Sequence, residues 1–186
     1  MGRGVGQHSH ARRTSSGARG SHFMLETTMR RDRHVILVVD DDHDLRESLR
    51  EILEEEGFET IGASDGKEAV DLLLSGGHPP PRVILLDIMM PGISGWEVTA
   101  ELLADRSTDQ IPIIFISARS ELSDRVRAFE LGAQAYLTKP FYPAVLAETV
   151  TTVLDQIERG DREAALAETL ATLRKGDVTT TKPSPS

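Results

Sequence analysis

Cysteine is absent from the 186-residue chain, which excludes both a disulfide frame and a thiolate zinc site. No apolar run approaches the ~20 residues that a membrane-spanning helix requires. No secretory h-region is visible near the N-terminus either, so the expectation is a cytoplasmic protein with no membrane partner. Basic residues are scarce over most of the sequence. Residues 1–33 hold seven Lys and Arg against two Asp and Glu, a net of +5, while the remainder holds 14 against 28, a net of −14. An acidic body makes direct nucleic-acid contact unexpected, because the phosphate backbone must be met by positive charge.

The basic beginning is rich in Gly, Ser, His and Arg and lacks apolar periodicity, so residues 1–32 read as a disordered basic tail. Ser15-Ser16-Gly17 and Arg19-Gly20-Ser21-His22 also have the look of a vector-derived leader, with Met24 and Met29 as alternative starts. From His34 a regular alternation sets in. His34 to Val39 forms a buried strand, and Leu45, Leu49, Ile52 and Leu53 then mark an amphipathic helix that Gly57 stops. Phe58 to Ala63 is a second strand; Asp65 and Glu68 cap a helix whose inward positions are Ala69, Leu72 and Leu73. Gly76-Gly77 and Pro79-Pro80-Pro81 break the chain before the next strand.

That strand, Val83-Ile84-Leu85-Leu86, is apolar on both faces, as a central parallel strand must be. It ends on Asp87, followed by the Met-Pro-Gly turn signal of Met90-Pro91-Gly92. Ser94 and Glu97 form a capping box for a third helix with Val98, Leu102 and Leu103 on its buried side. Ile111 to Ile116 is a fourth strand, Val126, Phe129 and Leu131 carry a helix closed by Gly132, and Ala135 to Thr138 is a short fifth strand. Leu146, Val150, Val153, Leu154 and Ile157 mark a fifth helix. Five strands alternating with five helices make an α/β, doubly wound parallel sheet over residues 33–158. Beyond Gly160-Asp161, Leu166, Leu170 and Leu173 predict one extra C-terminal helix within 159–175, and residues 176–186 form a Thr/Pro/Ser tail expected to be disordered. The extra helix either prolongs the fifth, packs on the domain or binds a partner. It is too little for a DNA-binding module.

The polar residues of this frame share one edge. Asp40 and Asp41 end strand one, Asp87 ends strand three, Ser117 ends strand four and Lys139 ends strand five, and the C-terminal edge of an open α/β sheet is where ligands bind. Clustered carboxylates either hold protons or bind a cation. Oxygen ligands without His or Cys favour a hard divalent ion, and an incomplete cage favours Mg²⁺ with its retained waters. Three carboxylates, one divalent ion and the Lys139 ammonium sum to zero formal charge, so the site has room for a phosphoryl group. Asp87 is the nucleophile in this reading, and the Ser117 hydroxyl is a donor able to follow new phosphoryl oxygens. Asp42 and Asp44 read as helix caps, His43 as a surface residue, Trp96 as packing at a helix start, Met89 as a loop residue and Met90 as core.

Val39-Asp40-Asp41, then Leu86-Asp87-Ile88-Met89-Met90-Pro91-Gly92, then Ile116-Ser117-Ala118, then Tyr136-Leu137-Thr138-Lys139-Pro140-Phe141 together resemble the receiver domain of two-component response regulators. The resemblance covers about residues 33–158. It implies strand order 2-1-3-4-5 and phosphorylation of Asp87 from a phosphohistidine on a sensor histidine kinase or phosphotransfer protein. It further implies Mg²⁺ on Asp41, Asp87 and the backbone carbonyl of Met89, with Asp40 acting through water. Lys139 then pairs with Asp87 or its phosphate, while Ser117 and Tyr136 are the switch residues, and a cis Lys139-Pro140 bond is common in similar domains. A downstream protein target would read the altered surface, making the protein a phospho-acceptor and not a turnover enzyme. Two alternatives stand beside this: a phosphorylation-independent interaction module, or the N-terminal phosphorelay part of a larger regulator. An aspartyl-phosphate phosphatase of the haloacid dehalogenase type would need a second Asp where Met89 stands. Gln134-Ala135 replace the acidic pair that precedes this Tyr in the largest transcription-factor subfamily, so the oligomeric state is left open.

Overall fold

The computed structural model describes Met1 and residues 34–175; the two expected tails lie outside the described residues. Five strands, β1 (Val35–Val39), β2 (Glu59–Ala63), β3 (Val83–Asp87), β4 (Ile113–Ser117) and β5 (Ala135–Thr138), form one parallel sheet in the order β2-β1-β3-β4-β5. Between and after them run α1 (His43–Glu55), α2 (Gly66–Leu74), α3 (Gly95–Ala104), α4 (Leu122–Glu130), α5 (Pro143–Arg159) and α6 (Arg162–Arg174).

The strands alternate their side chains between two cores, as a period of two requires. Leu37, Val39, Ile84, Leu86 and Phe115 face α2, α3 and α4 through Ala69, Val98, Leu102 and Phe129. Ile36, Val38, Leu85, Ile114 and Ile116 face α1 and α5 through Leu49, Leu53, Leu146 and Val150. Every residue of β3 and β4 is buried, which accounts for their unbroken apolar runs. Each fully buried Leu or Ile contributes roughly 2 kcal/mol of transfer free energy to holding the layers together.

The strand limits shift slightly from the sequence expectation. β4 starts at Ile113, not Ile111; Pro112 has no N–H for the ladder, but its carbonyl accepts from Ile84 N at 2.9 Å. Asp42 caps α1, accepting from Asp44 N and Leu45 N, whereas Asp44 is no cap and sits exposed in the first turn. The Ser94–Glu97 capping box is complete. At α2, Asp65 accepts from Glu68 N, and the Glu68 carboxylate reaches past the cap to Ser64 N and Oγ, each at 2.6 Å.

Of the three fates open to the last helix, it packs on the domain. Gly160 takes the left-handed conformation at the end of α5, with φ 75°, turning the chain so that α6 lies against α4. Leu173 is buried in the α2–α3–α4 core, with Leu166 and Leu170 packed against it. Polar ties hold both ends. Arg162 Nη1 donates to Gln110 O at 2.8 Å, and Arg174 Nη2 lies 2.9 Å from Glu130 Oε1.

Candidate functional site

Chain reversal places the site. After β1 the chain crosses to one neighbour, β2, and then returns to the other side as β3. Loops leaving β1 and β3 therefore diverge, and the crevice between them opens at the strands' C-terminal ends. Val39 pairs with Leu86 in register, so Asp40 and Asp87 leave adjacent strands side by side.

Asp40, Asp41 and Asp87 each offer a carboxylate oxygen, and these atoms lie within 4.8 Å of one another. Asp40 and Asp87 are buried; Asp41 is exposed. Lys139, brought in after β5, places Nζ 2.8 Å from Asp40 Oδ2 and 2.8 Å from Asp87 Oδ2. The remaining oxygens are held by backbone: Asp42 N donates to Asp40 Oδ1 at 2.9 Å, and Met89 N donates to Asp87 Oδ1 at 3.0 Å. Both carboxylates are thus aimed by the turns that follow them. The Lys139-Pro140 bond is cis.

Burial is the main force raising the pKa of Asp40, aided by the charge of Asp87 and opposed by the Lys139 ammonium and the Asp42 amide. Burial alone would pull the Lys139 ammonium down, but hydrogen bonds and charge from Asp40 and Asp87 together outweigh it and hold its pKa above the ordinary lysine value. Lys139 is therefore charged across the physiological range. The donor set consists of carboxylate oxygens on one exposed and two buried side chains, which suits a hard divalent cation.

Ser117 and Tyr136 lie at the ends of β4 and on β5, and both are buried. The Ser117 Oγ accepts from Arg119 N at 3.2 Å, and the Tyr136 hydroxyl donates to Arg119 O at 2.9 Å. Desolvation is the largest cause raising the Tyr136 pKa. Asp40, Asp41, Asp87 and Lys139 come together at this edge, and Ser117 and Tyr136 meet one another through Arg119. His43 is exposed, with Nδ1 3.3 Å from Asp44 Oδ1, Met89 is exposed and Met90 buried. Trp96 packs on Phe115 with centroids 4.8 Å apart, under the Arg127 guanidinium at 4.6 Å.

Sequence reasoning missed two supports. Arg46 Nη1 donates to the Asp40 carbonyl at 2.6 Å, a contact across a turn of α1 that no local motif announces. Gly95 packs against the backbone of Asp87: a Cβ there would stand 2.4 Å from Asp87 O and 2.9 Å from Ile88 Cα. A glycine at the first position of a capped helix was the available signal.

Known proteins share the fold. Residues 36–151 match the response regulator receiver domain family. The phosphate regulon transcriptional regulatory protein PhoB of Escherichia coli K12 is 41% identical over 122 residues, 66% of this chain and 52% of that protein. The response regulator MprA of Mycobacterium avium is 39% identical over 145 residues, 77% of this chain and 61% of that protein. The chain thus spans about half the length of the first of these curated relatives. Among solved structures, the response regulator TrrA of Thermotoga maritima, in complex with Mg²⁺ and BeF, is 37% identical with a TM-score of 0.56, covering 64% of this chain and 98% of that one. A receiver domain protein of Methanospirillum hungatei is 29% identical with a TM-score of 0.62, covering 68% of this chain and 98% of that one. With an acidic cluster at the switch point of a 2-1-3-4-5 sheet and a family match over most of the described residues, the chain belongs to the response regulator receiver domain family of two-component signalling.

Proposed function

We propose that this protein is a phosphorylation-dependent signalling switch whose acceptor is Asp87. The observation that carries the reading is that Asp87 shares the Lys139 ammonium with Asp40 and lies with Asp40 and Asp41 in one carboxylate cluster. A carboxylate at a strand tip, nearly buried and fixed by the Met89 amide, is held with one oxygen on a cation and the other on a backbone donor. Attack by a carboxylate oxygen of Asp87 on the phosphorus of a phosphohistidine forms the acyl oxygen–phosphorus bond. The phosphorus–nitrogen bond breaks and its electron pair returns to the ring, which leaves as neutral imidazole because its other nitrogen already carries a proton in the phosphohistidine.

Asp41, Asp87 and the carbonyl of Met89 would hold Mg²⁺, with Asp40 acting through water, and the ion would supply charge neutralisation for incoming phosphoryl oxygens. Lys139 contributes the second positive charge and remains with the product. Ser117 and Tyr136, joined through Arg119, are the switch pair: a hydroxyl drawn to new phosphoryl oxygens changes the loop that both of them hold. The protein accepts and loses its own phosphoryl group and does not turn over outside substrates, since Met89 occupies the position where a phosphatase of this chemistry would need its acid.

Residues 33–158 form the receiver unit in this reading, and 159–175 a helical extension. The donor is a sensor histidine kinase or phosphotransfer protein, and the output is contact with a downstream protein in the cytoplasm. No helix among the described residues is long and apolar enough to cross a membrane. The greater length of the curated relatives favours a second reading, in which this receiver is the N-terminal phosphorelay part of a larger regulator. Intact mass after incubation with acetyl phosphate and Mg²⁺ tests the proposal: one hydroxylamine-labile phosphoryl group on the wild-type chain supports it, and its persistence in Asp87→Asn removes Asp87 from the role.

A further inference from the structure

Arg119 is held at three points by three different elements. Its N–H is bound by the hydroxyl of Ser117 at the tip of β4, its C=O by the hydroxyl of Tyr136 on β5, and its guanidinium by Asp124 in the first turn of α4, with Nη1 to Oδ1 at 3.1 Å. The first two contacts belong to the switch pair. The third ties that pair to a helix.

Asp124 is unusual for a helix-surface acid. It is 8% exposed, and its carboxylate bonds to the loop that precedes its own helix. Glu121, at the N-cap of α4, makes no side-chain cap hydrogen bond, so α4 begins without the side-chain closure that Asp42, Asp65 and Ser94 give α1, α2 and α3. Ser123 Oγ donates to Glu121 Oε2 only at 3.4 Å and within the helix start itself, so the side-chain bond that ties the first turn of α4 to Arg119 in the β4–α4 loop is the Asp124–Arg119 pair. A shielded carboxylate makes this link stronger than an exposed pair would be, though the guanidinium itself is half exposed. Charge on Asp124 also bears on Tyr136, raising its pKa behind the larger effect of burial.

We infer that Asp124 is a positioning residue that transmits displacement of the Ser117–Arg119–Tyr136 loop to α4, by way of the Arg119 guanidinium. This rests on the reading of Asp87 as phospho-acceptor. Movement of the Ser117 hydroxyl toward a phosphoryl group breaks its bond to Arg119 N. Arg119 is then released at one of its three points, and Asp124 determines whether α4 follows. The far end of α4 is also engaged, because Glu130 pairs with Arg174 of α6 and Phe129 shares a core with Leu173. A purely structural role for Asp124, an acid favourably placed near a helix N-terminus, would change the stability of α4 and leave the coupling intact.

Amide hydrogen exchange of the full chain, with and without acetyl phosphate and Mg²⁺, separates these roles when intact mass is read on the same samples. In the wild type, phosphorylation changes exchange in Leu122–Glu130. Asp124→Asn takes up the phosphoryl group to the same extent, but that exchange response shrinks by about fivefold or more, the scale of one allosteric link. Asp124→Glu restores it. Arg119→Gln, altered on the exposed side of the pair, gives the same loss should Asp124→Asn fail to fold. A full α4 response in both Asp124→Asn and Arg119→Gln overturns the inference, as does a phosphorylated wild type whose α4 does not respond. A wild type that takes no phosphoryl group overturns the acceptor reading instead, and with it the basis of this one.

Discussion

Lys139 joins the two buried carboxylates of the site, its Nζ lying 2.8 Å from an oxygen of Asp40 and 2.8 Å from an oxygen of Asp87. The two acids come from adjacent strands and would repel each other without it. Lys139→Ala leaves both facing one another with little solvent, a loss of about 3 kcal/mol in metal-free buffer. A divalent cation replaces part of the missing charge, so Mg²⁺ stabilises Lys139→Ala more than it stabilises the wild type. Urea denaturation of both proteins with and without Mg²⁺ measures the difference. The variant still takes up some phosphoryl group, because the nucleophile is intact, but its conformational response is blunted.

Gly95 sets how closely α3 approaches the end of β3. A methyl group at this position meets the Asp87 carbonyl at 2.4 Å, and backbone cannot rotate away as a side chain does. Gly95→Ala therefore destabilises by about 2 kcal/mol despite the better helix propensity of alanine. Asp87 is displaced with the strand end, so phosphorylation by acetyl phosphate slows as well. Denaturation midpoints and the rate of mass gain check both effects.

Leu173 is the buried anchor of α6. Truncating it in Leu173→Ala weakens docking of that helix by about 2–3 kcal/mol while leaving the five-stranded core formed. Amide exchange speeds up through Arg162–Arg174 and stays slow in Val83–Asp87. Equal acceleration in both segments would mean that α6 is part of the global folding unit.

The Ser94–Glu97 capping box gives stability a pH dependence of known sign. The Ser94 backbone N–H, and second its hydroxyl, hold Glu97 below the ordinary glutamate pKa of 4.5. A carboxylate lowered in the folded state contributes stability that is present above 4.5 and is lost as pH falls through its folded value. Glu97→Gln removes the titrating group and with it this contribution, so the wild-type advantage over the variant narrows as pH drops below about 4.5. Thermal melts of the two proteins between neutral and acid pH read the narrowing.

Much of this architecture was legible because the sheet is parallel. Strands buried on both faces must be apolar throughout, and the runs Val35–Val39, Val83–Leu86 and Ile113–Ile116 stand out for that reason. The acids and the lysine were legible as strand-end residues. What the sequence left undecided depends on contacts between distant segments: the docking of α6 on α4, the Arg46 bond to the Asp40 carbonyl, and the Arg119–Asp124 pair. Helical periodicity announces that Leu166, Leu170 and Leu173 share a side but not what that side meets. The Asp44 cap failed for a local reason, since Asp42 already satisfies the first amides of α1.

The central claim is that Asp87, and no neighbouring acid, receives the phosphoryl group. Borohydride reduces an acyl phosphate to the alcohol, so a phosphorylated aspartate is left as homoserine, which peptide mass mapping locates. After treatment with acetyl phosphate and Mg²⁺, the account predicts homoserine at position 87 alone, and none when Mg²⁺ is removed. Homoserine at position 40 or 41, or none at position 87 in a chain shown to carry the phosphoryl group, would contradict it.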